Sequence, residues 1–291
     1  MPAVMTARRT IGTLLATAAT LLTATAQQPR TGIRSLHDRS KPATGIAYYD
    51  VDRIYDTLPA LFYDDTDYTP EGRRAWNTER YRHKIRNTAA VIDSMALEIV
   101  ALWGVENEAV VRDLVTACRG DYSYIHRTLN TLDGMDFALL YYGDRFFPHY
   151  VEPGRRYLYV EGTLRHDTLG LVLCADTRMA AWVVGDLREE RPAARLVVLG
   201  RSSSMEEPER YGLHDATARA ERAGRGTAYT RRGWVMRDRV LVDTALTTVA
   251  ADVYARRFMI DPRTGKPLAT YNGRAYCGGF SFSLPVYVYI R

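Results

Sequence analysis

The stretch IVALWGVENEAVVRDLVTAC, residues 99–118, sets a short apolar run directly before an amphipathic one. Residues 99–105 carry no charge and have the composition of a buried strand. From Glu106 to Cys118, Val110, Val111, Leu114 and Val115 recur at a spacing that gathers one side of a helix. Upstream, residues 47–52 read as a strand, and residues 79–95 as a helix with Ile85, Ala89, Val91, Ile92 and Met95 at helical spacing. Downstream, strand-like runs occupy 122–127, 137–142, 157–164 and 169–173, followed by a helix over 178–190 and a strand over 195–199. Residues 201–232 are polar and loop-rich; seven arginines against five acids make them a mixed-charge surface and not a basic groove. Strands over 234–242 and 284–290 close the chain. Many strands, few helices and no regular β-α alternation point to an α/β protein in which two sheets pack together with helices outside.

The whole chain has 291 residues, 39 Lys+Arg and 34 Asp+Glu, for a formal charge of +5. At 46% hydrophobic and 25% charged residues, it is excluded from the disordered, collagen-like and coiled-coil classes. All but three of the basic residues are arginine, spread along the chain, which argues for base composition and against a nucleic-acid surface. Residues 1–26 open with Arg8 and Arg9, continue through a short apolar, threonine-rich centre and end in Ala24-Thr25-Ala26. That pattern is a secretory signal peptide, too short and too polar for a bilayer span. Residues 27–45 read as a linker with Pro29 and Pro42, and 46–291 as the folded domain. The expected location is therefore outside the cytoplasm (periplasm, cell surface or secreted), with no transmembrane span after cleavage. Cys118, Cys174 and Cys277 are an odd number without a CxxC pair, so at least one stays free or pairs with another molecule; buried thiols are the expectation.

Five segments in collinear order resemble the endonuclease/exonuclease/phosphatase superfamily, in its secreted bacterial form. YTPEGRRAWNTERYRHKIRN (68–87) is similar to the family's "FTPxGxxxWTxxRYxxKxxN", VENEAVVRDL (105–114) to "VENxxVLxDL", and MDFALLY (135–141) to "IDVALLY". RMAAWVVGDLREERPAARLVVLG (178–200) tracks "RxxAA…LR…PxAxIIVMG", and GGFSFSLPVYV (278–288) parallels "GGYSDHLPVYL". The resemblance implies a DNase I-like four-layer α/β/β/α sandwich of two mixed sheets packed face to face. In active members it implies metal-assisted phosphoester hydrolysis. An Asn and a Glu on the first two strands hold a divalent ion and the phosphate. A "GDFN" Asp serves the attacking water, and two histidines, one in a closing "SDH", stabilise the oxyanion.

At almost every one of those positions this sequence departs. The first-strand Asn is Asp50 in YDVDR, the metal-holding Glu falls on Gly104 in WGVEN, and the arginine of "DxRG" is Asp133. "GDFND" becomes GRSSS, so Arg201 stands for the Asp and Ser203 for the Asn, while "SDH" becomes SFS with Phe282 and Ser283. The loop bearing the first His is shortened to CADT before Arg178. Losing the base and both histidines together leaves little beyond binding. The expectation is a pseudoenzyme acting as an exported binding or assembly module, with no cofactor. Its partner would be an extracytoplasmic protein or an anionic ligand held by Arg201 and the arginines after it, and not nucleic acid. The alternative is an active hydrolase of phosphate esters or nucleic acid with a rebuilt Mg²⁺ or Mn²⁺ site, for which Asp50 and Glu106 are the metal candidates, with Asp52, Asp136 and Asp238 nearby. The competing reading makes Asp136 and Asp238 structural, and Asp50 and Asp52 solvated at a strand end. The run from Asp64 to Asp67 reads as a solvated turn, lacking the Gly and distant Glu of a calcium loop. The six scattered histidines and the serines at 202–204 show no ligand or nucleophile-elbow spacing. Trp103, Trp182 and Trp234 are expected in the core.

Overall fold

The computed structural model describes residues 42–175, 177–201, 205 and 207–291, with backbone alone at 177–179. The signal-peptide reading, most of the linker, and Ser203 lie outside the described residues. In chain order the first elements are β1 (Thr44–Ile54), α1 (Thr78–Met95), β2 (Ile99–Val105), α2 (Glu108–Ala117), β3 (Ser123–Arg127), β4 (Asp136–Tyr141) and β5 (Phe146–Pro153). Next come β6 (Tyr157–Leu164), β7 (Asp167–Cys174), α3 (Thr177–Glu190), β8 (Arg195–Gly200), β9 (Leu213–Asp215), α4 (Ala218–Arg222), β10 (Ala228–Thr230) and β11 (Gly233–Val235). The last are β12 (Arg239–Asp243), β13 (Thr248–Val253), β14 (Tyr271–Asn272), β15 (Ala275–Tyr276) and β16 (Val286–Ile290).

Among the described residues, two six-stranded mixed sheets form, in the orders β13-β16-β1-β2-β4-β3 and β5-β6-β7-β8-β12-β9. The period of two along the strands builds the layers. In β7 and β8, Leu171, Leu173, Val197 and Leu199 point into the core shared with β1 and β2. The alternate residues Val172, Cys174, Leu196 and Val198 meet α3 through Ala180, Val183, Val184 and Leu187. In β2, Ile99 to Leu102 are all fully buried, because α1 covers the face that the second sheet does not. The four-layer sandwich expected from the sequence is the observed fold.

The helices start where asparagines cap them. Asn77 Oδ1 accepts from Arg80 N (3.0 Å) ahead of α1, and Asn107 Oδ1 from Val110 N (3.0 Å) ahead of α2. Sequence patterning misses β5 and β13, and both are edge strands. Pro148 and Pro153 sit in β5, where an edge tolerates the missing N–H, and β13 contains two alanines, poor strand formers. The single strand expected over 234–242 divides into β11 and β12, with Met236, Arg237 and Asp238 forming the break between them. The loop-rich stretch 201–232 contains β9, α4 and β10. Trp182 is 60% exposed on α3, on the side away from Val183 and Val184, and Cys277 is exposed rather than buried.

The tryptophan at the centre of the fold's aromatic cluster is Trp76, fully buried. Its Nε1 donates to the Tyr55 carbonyl (3.0 Å), and its ring meets Tyr68 edge-on at 5.9 Å. It fastens the exit of β1, which borders the cleft described below, to the entry of α1. Trp76→Ala is expected to destabilise the protein by about 3–5 kcal/mol, the usual loss for a large core aromatic, read as a lower midpoint in denaturant unfolding.

Candidate functional site

The site begins where β1 and β2 stop pairing regularly. Their parallel register holds from Ile46 opposite Ile99 to Asp50 opposite Trp103, then shifts before Ile54 meets Val105. Within that irregularity, Asp52 and Arg53 take φ of 58° and 55°, a conformation unusual for side chains other than glycine. Gly104 faces them with φ of +98°, and a Cβ built on it would lie 3.1 Å from the Arg53 backbone nitrogen. The position at which the resemblance implies a metal-holding Glu is therefore one whose backbone favours glycine.

Asp50 projects from β1 into the crevice between the sheets, its side chain 4% exposed. One carboxylate oxygen, Oδ2, faces Arg201 Nη2 at 3.4 Å and Arg237 Nη2 at 3.2 Å. Arg201 is delivered by β8: Gly200, at φ of +121°, passes so close to the Cys174 carbonyl that a Cβ would lie 2.2 Å from it. Arg201 N donates to that same carbonyl at 3.1 Å. Arg237 comes from the break between β11 and β12, and its guanidinium lies 4.2 Å from the centre of the Phe282 ring. The closing SFS triplet acts residue by residue. Ser281 Oγ donates to the Asp50 carbonyl (2.6 Å), Phe282 supports Arg237, and Ser283 Oγ donates to Asp238 Oδ2 (2.6 Å). Burial and the charge of Asp50 hold the Asp238 carboxyl above the usual carboxylate range. Asp238 Oδ1, Tyr48 Oη, Arg201 Nε and Arg237 Nε are buried there without a hydrogen-bond partner among the described residues.

This arrangement corrects the solvated reading of Asp50, because the second sheet's arginines and the Ser281 tether cover it. It also bears on the metal. A Mg²⁺-type ion needs several oxygen ligands around one centre, whereas here two guanidiniums occupy the approach to the Asp50 carboxylate. Glu106, the other candidate, is buried but engaged elsewhere. It accepts from Asp56 N (2.5 Å) and Tyr63 Oη (2.7 Å), and burial pushes its carboxyl up to about 7. Asp136 accepts from Leu129 N (2.8 Å) and faces His126 Nε2 at 3.1 Å, as a structural residue would. Asp52 lines the cleft, and burial pushes it up to about 6 against the opposing pull of Lys84. Lys84 is itself buried, donates to Thr270 Oγ1 (2.7 Å) and is lowered to about 8 by desolvation. Among the described residues, no three His, Cys, Asp or Glu side chains gather where they could share an ion. The donor set does not fit the family's divalent metal.

The cleft above Asp50 is a cavity of about 480 Å³, its walls including Arg53, Arg155, Arg156, Arg201, Trp103 and Phe282. Asp133, at the family's arginine position, pairs with Arg53 Nη2 at 3.1 Å. In the acidic run, Asp65 is buried and accepts from Ala60 N (3.0 Å), while Asp67 pairs with Arg73 (2.6 Å). The sequence reading missed Arg237, Arg155 and Arg156. A signal for Arg237 was present, since the charged MRDR segment interrupts the apolar run 234–242.

Residues 45–169 match the model of the Endonuclease/Exonuclease/phosphatase family. The match ends before Arg201, Arg237 and the closing SFS. The endonuclease/exonuclease/phosphatase from Bacteroides vulgatus superposes with a TM-score of 0.58 at 12% identity, covering 86% of this chain and 99% of that one. Humanized D. rerio TDP2 gives a TM-score of 0.56 at 14% identity, with 86% and 99% covered. D. rerio TDP2 complexed with single strand DNA product gives 0.55 at 12% identity, with 86% and 100% covered. At these identities the likeness establishes the fold. No curated protein matches the chain.

Two outcomes follow from the geometry. Gly104→Glu is expected to lower stability through strain at its positive φ, without creating divalent binding; calorimetric Mn²⁺ titration alongside thermal unfolding checks both. The raised carboxyls of Asp52 and Glu106 mean that the native state holds more protons than the unfolded chain between roughly pH 4 and 7. Unfolding free energy should therefore fall as pH rises across that window. Glu106→Gln should make the fall shallower in denaturant titrations run at successive pH values.

Proposed function

We propose that this chain, which carries the endonuclease/exonuclease/phosphatase fold and matches that family's model over residues 45–169, is a non-hydrolytic member that works as an exported binding or assembly module. One observation carries the reading. The Asp50 carboxylate, at the head of the family's cleft, is neutralised by Arg201 and Arg237. Positive charge that a divalent ion would supply is built into the chain as side chains, and guanidiniums cannot polarise a bound water into a nucleophile as a metal does. The surrounding substitutions agree with this. Gly104 has no side-chain ligand atom, Phe282 and Ser283 stand at the Asp–His positions, and Ser283 serves to hold Asp238.

Export is supported by the basic start, apolar centre and A-x-A ending of residues 1–26. No helix among the described residues is long and apolar enough to cross a membrane. For the partner, the arginine-lined cleft favours an anionic ligand over a nucleic-acid strand, since the arginines after Arg201 are interleaved with acids. The opposing possibility, hydrolysis through a rebuilt divalent site, would need a cation to displace both guanidiniums from Asp50.

The test is an activity assay on the purified protein with p-nitrophenyl phosphate, bis-p-nitrophenyl phosphate, single-stranded DNA and RNA in excess Mg²⁺ or Mn²⁺. The expected result is no turnover that EDTA abolishes. Chelator-sensitive hydrolysis, lost in Asp50→Ala, would overturn the reading. N-terminal sequencing of the exported protein should begin at Gln27.

A further inference from the structure

Beyond the neutralised carboxylate, the cleft holds positive charge that nothing in the described chain balances. Of the charges facing it, Asp50 is matched by Arg201 and Arg237, Asp133 by Arg53, and Asp52 lies within electrostatic reach of Lys84. Two guanidiniums remain over. Arg155 and Arg156, in the turn between β5 and β6, are exposed, line the cavity, and form no ion pair with a described residue. Arg201 adds to them. Its side chain is 37% exposed, and it shares a single carboxylate with Arg237. Apolar side chains line the same cavity, among them Trp103 and Leu132, and Leu132 stands 97% exposed beside the polar Asn130, Thr131 and Asp133.

We infer that this cleft binds a small organic anion, a phosphate or carboxylate head on an apolar or aromatic body, without a divalent ion. Arg155, Arg156 and Arg201 take the head, and Trp103 and Leu132 take the body. The inference rests on the reading that Asp50 is closed to metal. Guanidinium forks match the planar edge of a carboxylate or two phosphate oxygens, and such charge-assisted contacts are stronger than neutral ones. A volume of about 480 Å³ lies within the range of small-molecule sites. A leucine this exposed at a cavity wall gains from being covered, at roughly 25 cal/mol per Å² of apolar surface. A bare inorganic anion would leave that gain unused, so an attached apolar body should raise affinity.

The experiment is isothermal titration calorimetry of the full chain in EDTA with phenylphosphonate, whose C–P bond is not an ester, alongside inorganic phosphate and benzyl alcohol. Phenylphosphonate should bind more tightly than phosphate, benzyl alcohol should give no heat, and raising the salt should weaken binding. Arg155→Ala/Arg156→Ala should weaken phenylphosphonate by about tenfold or more, the size of a lost charge-assisted contact, while leaving the unfolding midpoint in place, because both residues are exposed. Leu132→Ser should remove the advantage of phenylphosphonate over phosphate. No binding in EDTA, or equal binding by the double arginine variant, would overturn the inference and leave the non-hydrolytic reading standing. Binding that appears only with added Mg²⁺ would overturn both.

Discussion

A carboxylate buried between two guanidiniums governs the chemistry of this cleft. Removing Asp50 from water would be prohibitive alone, and the pairing with Arg201 and Arg237 makes it tolerable. Breaking a fully buried pair costs about 3–5 kcal/mol. Here the arginines are 37% and 31% exposed, so screening reduces that figure. The contribution to stability is secondary. The larger consequence is electrostatic, because a third cation brought to the same oxygen meets two positive neighbours and a ligand already engaged.

The triad depends on backbone from four parts of the chain. β1 supplies Asp50, and the turn after β8 supplies Arg201 through the tight passage of Gly200 beside Cys174. The break before β12 supplies Arg237, and the approach to β16 supplies Ser281 and Phe282, which hold the Asp50 backbone and the Arg237 guanidinium. Gly104 completes the set by letting β2 lie close under the kink in β1. These features interlock, so changing one of these side chains to a metal ligand would leave the two guanidiniums at Asp50 in place.

The layered fold was legible because its main strands and helices bury one side at a regular period, as in β7, β8 and α1. Edge strands were not, since β5 carries two prolines and β13 two alanines, and their pairing depends on neighbours distant in sequence. Single positions of the cleft could be picked out in the sequence: Asp50, Gly104, Arg201, Phe282 and Ser283 each depart from the pattern the sequence resembles. What they do together was not legible. Asp50 and Arg237 are 187 residues apart, and no local signal links them. The buried state of Asp50, read from sequence as a solvated strand end, is a product of that long-range closure. Glu106 looked available as a ligand because its contacts with Tyr63 and the Asp56 amide come from a loop with no regular periodicity.

The most direct measurement is a crystal soaked in Mn²⁺ and examined by anomalous diffraction at the Asp50 carboxylate. The account predicts guanidinium nitrogens of Arg201 and Arg237 on Oδ2 and no anomalous peak at metal–ligand distance from it. A peak bonded to Asp50, with either arginine swung away, would contradict it.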